Sequence, residues 1–154
     1  MSGGTTTLPG NIDVSGNLLI NTGAFLTITN GTFKMSGSFT FANTFIVGPI
    51  YNIDPGTGFW INNPNVTVTA QAGGVSVRGL LRLSAGTYNI GTGIDRTLTY
   101  VSGSAINIEG GALNIAGQLT RNNATATTSY TQSGGIVTVV GQGSTDREHL
   151  TSQG

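Results

Sequence analysis

Through most of residues 10–141, apolar and polar positions alternate in short runs separated by glycine, asparagine, serine or proline. Five runs share one form, in which a glycine, two apolar residues at alternate places and a second glycine recur: GNIDVSG (10–16), GTFKMSG (31–37), GGVSVRG (73–79), GALNIAG (111–117) and GIVTVVG (135–141). Alternation with period two sends successive side chains to opposite sides of an extended chain, so each run predicts a strand with one buried side. No stretch carries the 3.6-residue period of a helix.

The spacing of these runs predicts how the strands assemble. The motifs begin at Gly10, Gly31, Gly73, Gly111 and Gly135. Those intervals read as one, two, two and one copies of a unit of about 20 residues, the signature of a solenoid. Degenerate copies, NIDPGTG (52–58) and GTGIDRT (91–97), fall where that period expects them. Further apolar segments follow, among them FLTIT (25–29), TFIVG (44–48), VTVT (66–69), TYNIG (87–91) and INI (106–108), so each unit reads as three short strands joined by tight turns.

The expected fold is therefore all-β: a single-stranded, right-handed parallel β-helix (β-solenoid) of about seven rungs of about 20 residues. In it Ile12 and Val14 lie under Phe33 and Met35, Val75 and Val77 under Ile94, and Leu113 and Ile115 under Val137 and Val139. A sandwich of hairpins also needs short strands but does not call for one motif returning in register. Residues 1–9 form a lead-in, 10–141 the β-helix, and 142–154, which lose the alternation, a loosely ordered tail. The polar stretch NNATATTS (122–129) predicts a protruding loop. Neither end shows an amphipathic capping helix, so the expected edges are uncapped. Such a chain is either a segment of a longer solenoid or a homo-oligomer that covers its ends.

Composition narrows the function classes. Of 154 residues, 25 are glycine, 24 threonine and 14 asparagine, and only 12 are charged, balancing to zero. No basic stripe exists to follow a phosphate backbone, so no nucleic-acid partner is expected. No apolar run is long enough to insert in a membrane as a helix. Without cysteine there is no disulfide and no thiolate metal site. MSGGTTTLPG is not a signal peptide, so if the protein is exported its signal is expected outside this chain. No cofactor and no metal is implied by any motif.

GGALNIAGQLTRNN (110–123) and YTQSGGIVTVVG (130–141) resemble the Gly/Asn/Thr-rich β-solenoid repeats of large bacterial surface proteins, the autotransporter-like and Bacteroidetes adhesin-type β-helices. The resemblance spans residues 10–141. It implies an extracellular or cell-surface stalk or adhesion segment, with no shared catalytic residues to carry over.

Three groups of residues could carry chemistry. Asp13, Asp54 and Asp95 are evenly spaced along the sequence and would project from alternate rungs, a face on which a polysaccharide could be cleaved by paired carboxylates. The plainer role is a turn former or a partner between rungs, and Lys34, one rung from Asp13, suggests an ion pair. Trp60, the only tryptophan, would offer a sugar-stacking platform if Phe59 and Ile61 point inward; the opposite phase packs it in the core. Arg78 and Arg82, around Gly79, could bind a small anion or simply be solvated. His149, beside Asp146 and Glu148, sits in the tail, too loosely held for catalytic geometry. A column of threonines suited to ice fails, since Thr69 is followed by Asn89. The leading expectation is a non-enzymatic structural or adhesion-type segment. The alternative is a carbohydrate-active module binding or hydrolysing a polysaccharide or cell-surface glycan.

Overall fold

The computed structural model describes residues 4–8, 10–16, 24–46, 50–70, 73–93, 96–122 and 127–141. Those residues contain strands and turns and no helix. In chain order the strands are β1 (Gly4–Leu8), β2 (Ile12–Val14), β3 (Ala24–Ile28), β4 (Gly31–Met35), β5 (Phe41–Ile46), β6 (Ile50–Ile53), β7 (Thr57–Ala70) and β8 (Gly74–Val77). They continue with β9 (Leu80–Ile90), β10 (Leu98–Tyr100), β11 (Ala105–Ile108), β12 (Ala112–Ile115), β13 (Leu119–Arg121), β14 (Ser129–Gln132) and β15 (Ile136–Val139).

Among the described residues every strand pairing is parallel, and each joins a strand to its counterpart one turn later. The chain is thus a parallel β-solenoid with three faces. The first stacks β2, β4, the start of β7, the start of β9, β11 and β14. The second stacks β5, the end of β7, the end of β9, β12 and β15. The third stacks β6, β8, β10 and β13. About four turns carry all three faces, from β4–β6 through β11–β13. Partial turns flank them, and β1 pairs with β3 in a separate two-stranded sheet, so the expected lead-in already holds a strand.

The interior is one continuous apolar column. Phe33, Met35, Phe59, Ile61, Leu81, Leu83, Ile106 and Ile108 enter it from the first face, all buried. Val66, Val68, Tyr88, Ile90, Leu113 and Ile115 enter from the second, and Ile53, Val75, Val77 and Leu98 from the third. Phe33 stacks on Phe59 with ring centroids 6.1 Å apart, and Phe59 meets Tyr88 across the interior at 5.4 Å. Packed burial of this kind supplies roughly 1.5–3 kcal/mol per large side chain, so neighbouring turns hold one another.

Two features differ from the sequence reading. First, the turns advance unevenly: Val68 pairs with Tyr88, a short step along the chain, and Phe33 with Phe59, a longer one. Corners absorb the difference. Asn63, fully buried, turns the corner inside β7 by donating to the carbonyls of Ser36 and Phe39 in the turn below and accepting from the Asn65 amide. Second, the five glycine-framed motifs do not share one column. GNIDVSG and GTFKMSG stack on the first face, GGVSVRG lies on the third, and GALNIAG and GIVTVVG stack on the second. Every face needs strand, corner and glycine, so the phrase recurs per strand and not per turn. Ile12 and Val14 do pair with Phe33 and Met35, and Leu113 and Ile115 with Val137 and Val139. Val75 and Val77 pair instead with Tyr51 and Ile53 below and with Leu98 and Tyr100 above. Ile94 lies outside the described residues.

Candidate functional site

The outward column of the first face gathers charge that the other faces lack. In register along it lie Asp13, Lys34, Trp60, Arg82, Asn107 and Thr131. Phe59 and Ile61 are wholly buried, so alternation turns Trp60 outward, where it is half-buried. The Lys34 ammonium, one turn below, sits 4.5 Å from the indole centroid, and the Arg82 guanidinium carbon, one turn above, sits 4.0 Å from it. Two cations from opposite neighbours therefore flank one aromatic ring, an attraction between positive charge and the negative ring face.

A carboxylate closes each end of this arrangement. Lys34 Nζ donates to Asp13 Oδ2 at 3.0 Å, and the Ser36 hydroxyl donates to Asp13 Oδ1 at 2.6 Å. At the other end Arg82 Nη2 lies 2.9 Å and 3.1 Å from the two Glu109 oxygens, and the Ser84 hydroxyl donates to Glu109 Oε2 at 2.7 Å. Ser84 Oγ also accepts the indole Nε1–H of Trp60 at 2.8 Å. The Ser36 hydroxyl first, then Lys34, holds the Asp13 carboxyl below its ordinary value, and Ser84 and then Arg82 do the same for Glu109. Both are carboxylates at neutral pH. In contrast, burial pushes the Tyr51 and Tyr88 phenols up, so both stay neutral.

The expected carboxylate column does not form from Asp13 and Asp54. Asp13 lies in β2 on the first face, and the residues above it are Lys34 and Trp60. Asp54 lies at the exposed corner after β6, where its carbonyl accepts the Thr57 amide and hydroxyl. Asp95 and the group Asp146, Glu148 and His149 fall outside the described residues. The two carboxylates that the ladder does contain belong to Asp13 and Glu109, four strands apart, with the side chains of Lys34, Trp60 and Arg82 between them. Arg78 is exposed at the corner after β8, while Arg82 belongs to the ladder. Among the described residues no three of His, Cys, Asp and Glu come together as metal ligands would.

Glu109 and Ser84 escape the sequence reading because a strict period does not align the true neighbours. A signal was present in the local strings. FKMS (33–36) and LRLS (81–84) have one form, apolar–base–apolar–serine, and they bracket FWIN (59–62).

Beside the ladder, at the corner of the first and second faces, lies an open groove of about 360 Å³ lined by Pro64, Ser84, Gly86, Thr87, Gly111 and Ala112. The outward column of the second face is uncharged. Asn114 donates to Asn89 at 2.9 Å and Asn89 to Thr69 at 3.4 Å, a ladder of side-chain amides that follows the backbone ladder. Fold and site thus define a parallel β-solenoid with one decorated face. Compared with known protein families, curated protein sequences and solved structures, the chain matches none.

Proposed function

We propose that this chain is a non-enzymatic structural or adhesion-type β-solenoid segment of an exported bacterial protein, displayed outside the cell. In this reading the coil is right-handed, the hand preferred by parallel strand connections. The partial turns that hold β1, β2–β3 and β14–β15 are rungs of the same coil, bringing the count to seven. The observation that carries the reading is the closed electrostatics of the ladder. Its carboxylates are held ionised by direct partners, whereas a general acid needs a carboxyl raised toward neutrality. They are also kept apart by the interposed side chains of Lys34, Trp60 and Arg82, whereas glycosidase carboxylates face each other across roughly 5–9.5 Å.

A reducing-sugar assay against a panel of polysaccharides tests it. No release of reducing ends is expected; cleavage that disappears in Asp54→Asn would overturn the reading.

A second reading, a module that binds a polysaccharide or cell-surface glycan, is favoured by one observation. Trp60 faces outward next to the groove of Ser84, Gly86 and Gly111, where its single indole would report a bound sugar. A glycan array, followed by tryptophan fluorescence titration of any hit, separates the two readings. Saturable binding lost in Trp60→Ala supports the module, and a silent array removes it.

A further inference from the structure

Among the described residues the exposed large hydrophobics are Ile12 at 36%, Ile136 at 66%, Val139 at 46% and Val140 at 63%. All of them lie on the first or the last turns: Ile12 in β2, Ile136 and Val139 in β15, and Val140 directly after it. The described residues along the sides of the solenoid add none. Both ends are also open strand edges, since among the described residues β2 pairs only with β4, β14 only with β11, and β15 only with β12. Proteins ordinarily guard such edges with lysine, proline or a bulge. On the first and second faces the C-terminal edge has no such guard, for the sequence from Asn122 to Thr145 contains neither charge nor proline. On the third face only Arg121, at the end of β13, brings a charge to it. At the N-terminal edge the one charge in β2, Asp13, is already engaged by Lys34 and Ser36.

We propose that the chain associates end to end with a second copy of itself, the C-terminal edge of one against the N-terminal edge of the next. Strand polarity selects this arrangement. The strand pairings are parallel, and a second copy added by translation along the axis continues them. Two C-terminal edges brought face to face would have to pair antiparallel. A head-to-tail contact does not close on itself, so it yields chains of copies rather than a fixed dimer. This inference stands apart from the adhesion reading and holds or fails without it.

Light scattering after size exclusion tests it with two end-blocked variants, Ile12→Lys and Val139→Lys, each placing a charge on one edge only. Wild-type protein should show an average mass that rises with concentration. Each variant alone should remain at the mass of one chain, and an equimolar mixture should give a dimer that grows no further. Wild-type protein monomeric at every concentration overturns the proposal. So does a variant that still associates alone, which would mean like ends pairing, or a mixture that stays monomeric. Circular dichroism melts establish that each variant is folded; should Val139→Lys unfold, Val140→Lys, at the more exposed neighbouring position, blocks the same edge.

Discussion

At the scale of single residues, the inward positions leave no room for charge. Met35 and Val77 are fully buried in the first and third faces. An aspartate at either place would be an unpaired ion in an apolar column, a loss of roughly 3–5 kcal/mol, large against the stability of a small domain. Met35→Asp and Val77→Asp should therefore abolish the cooperative thermal transition; a parent-like melting temperature in either would mean that the inward phase is misassigned. Asn63 is the polar exception. Its amide serves two carbonyls of the turn below, so Asn63→Ala should cost about 1–3 kcal/mol, the penalty of leaving buried partners unpaired, measured by denaturant unfolding. Glycine matters most where corners stack. Gly111 has φ 73°, and a Cβ there would run into the carbonyl oxygen of Gly86 one turn below. That is the physical reason the same short phrase reappears along the chain.

At the scale of elements, the ladder on the first face joins β2, β4, β7, β9 and the corner after β11 through side chains alone. Its pH dependence has a definite sign. Asp13 and Glu109 are stronger acids in the folded chain than at their ordinary values of 3.8 and 4.5. The unfolded chain therefore takes up protons first as pH falls, and the stabilisation, complete above the ordinary range, is lost as pH drops through the folded values. Both groups are largely solvated, so the effect is modest. Melting temperature should decline between about pH 5 and pH 3, and the double variant Lys34→Met, Arg82→Met should flatten that decline. An unchanged slope in the double variant would separate the cations from the carboxylates. Much of this face was legible in sequence, including the Asp13–Lys34 pairing, because the first two motifs happen to lie one turn apart. Beyond Met35 the corners change length, and Lys34, Trp60 and Arg82 drop out of a fixed period. The apolar–base–apolar–serine strings kept the information that spacing lost.

At the scale of the whole molecule, alternation sufficed for the class of fold, since strands with one buried side and glycine corners recurring at a nearly regular interval have few other ways to close a core. Three strands to a unit were legible, but which strand lies on which face was not, because strand and corner have the same local grammar on each of them. What distinguishes the faces is chemistry on the outside: a charged and aromatic column on the first, amides and threonines on the second, and Asn52, Ser76, Thr99 and Thr120 in line on the third. The absence of native cysteine lets that arrangement be measured with paired cysteine substitutions. Outward, directly opposed positions of parallel strands lie close enough for a disulfide, whose Cα atoms stand roughly 4.4–6.8 Å apart. The pairs Arg82→Cys with Asn107→Cys, Asn89→Cys with Asn114→Cys, and Thr99→Cys with Thr120→Cys sample one face each. Under mild oxidation all three should form intramolecular bonds in folded monomer. Failure of these pairs, together with ready bonding of Asn89→Cys to Ser76→Cys, positions assigned to different faces, would contradict the stacked three-faced coil.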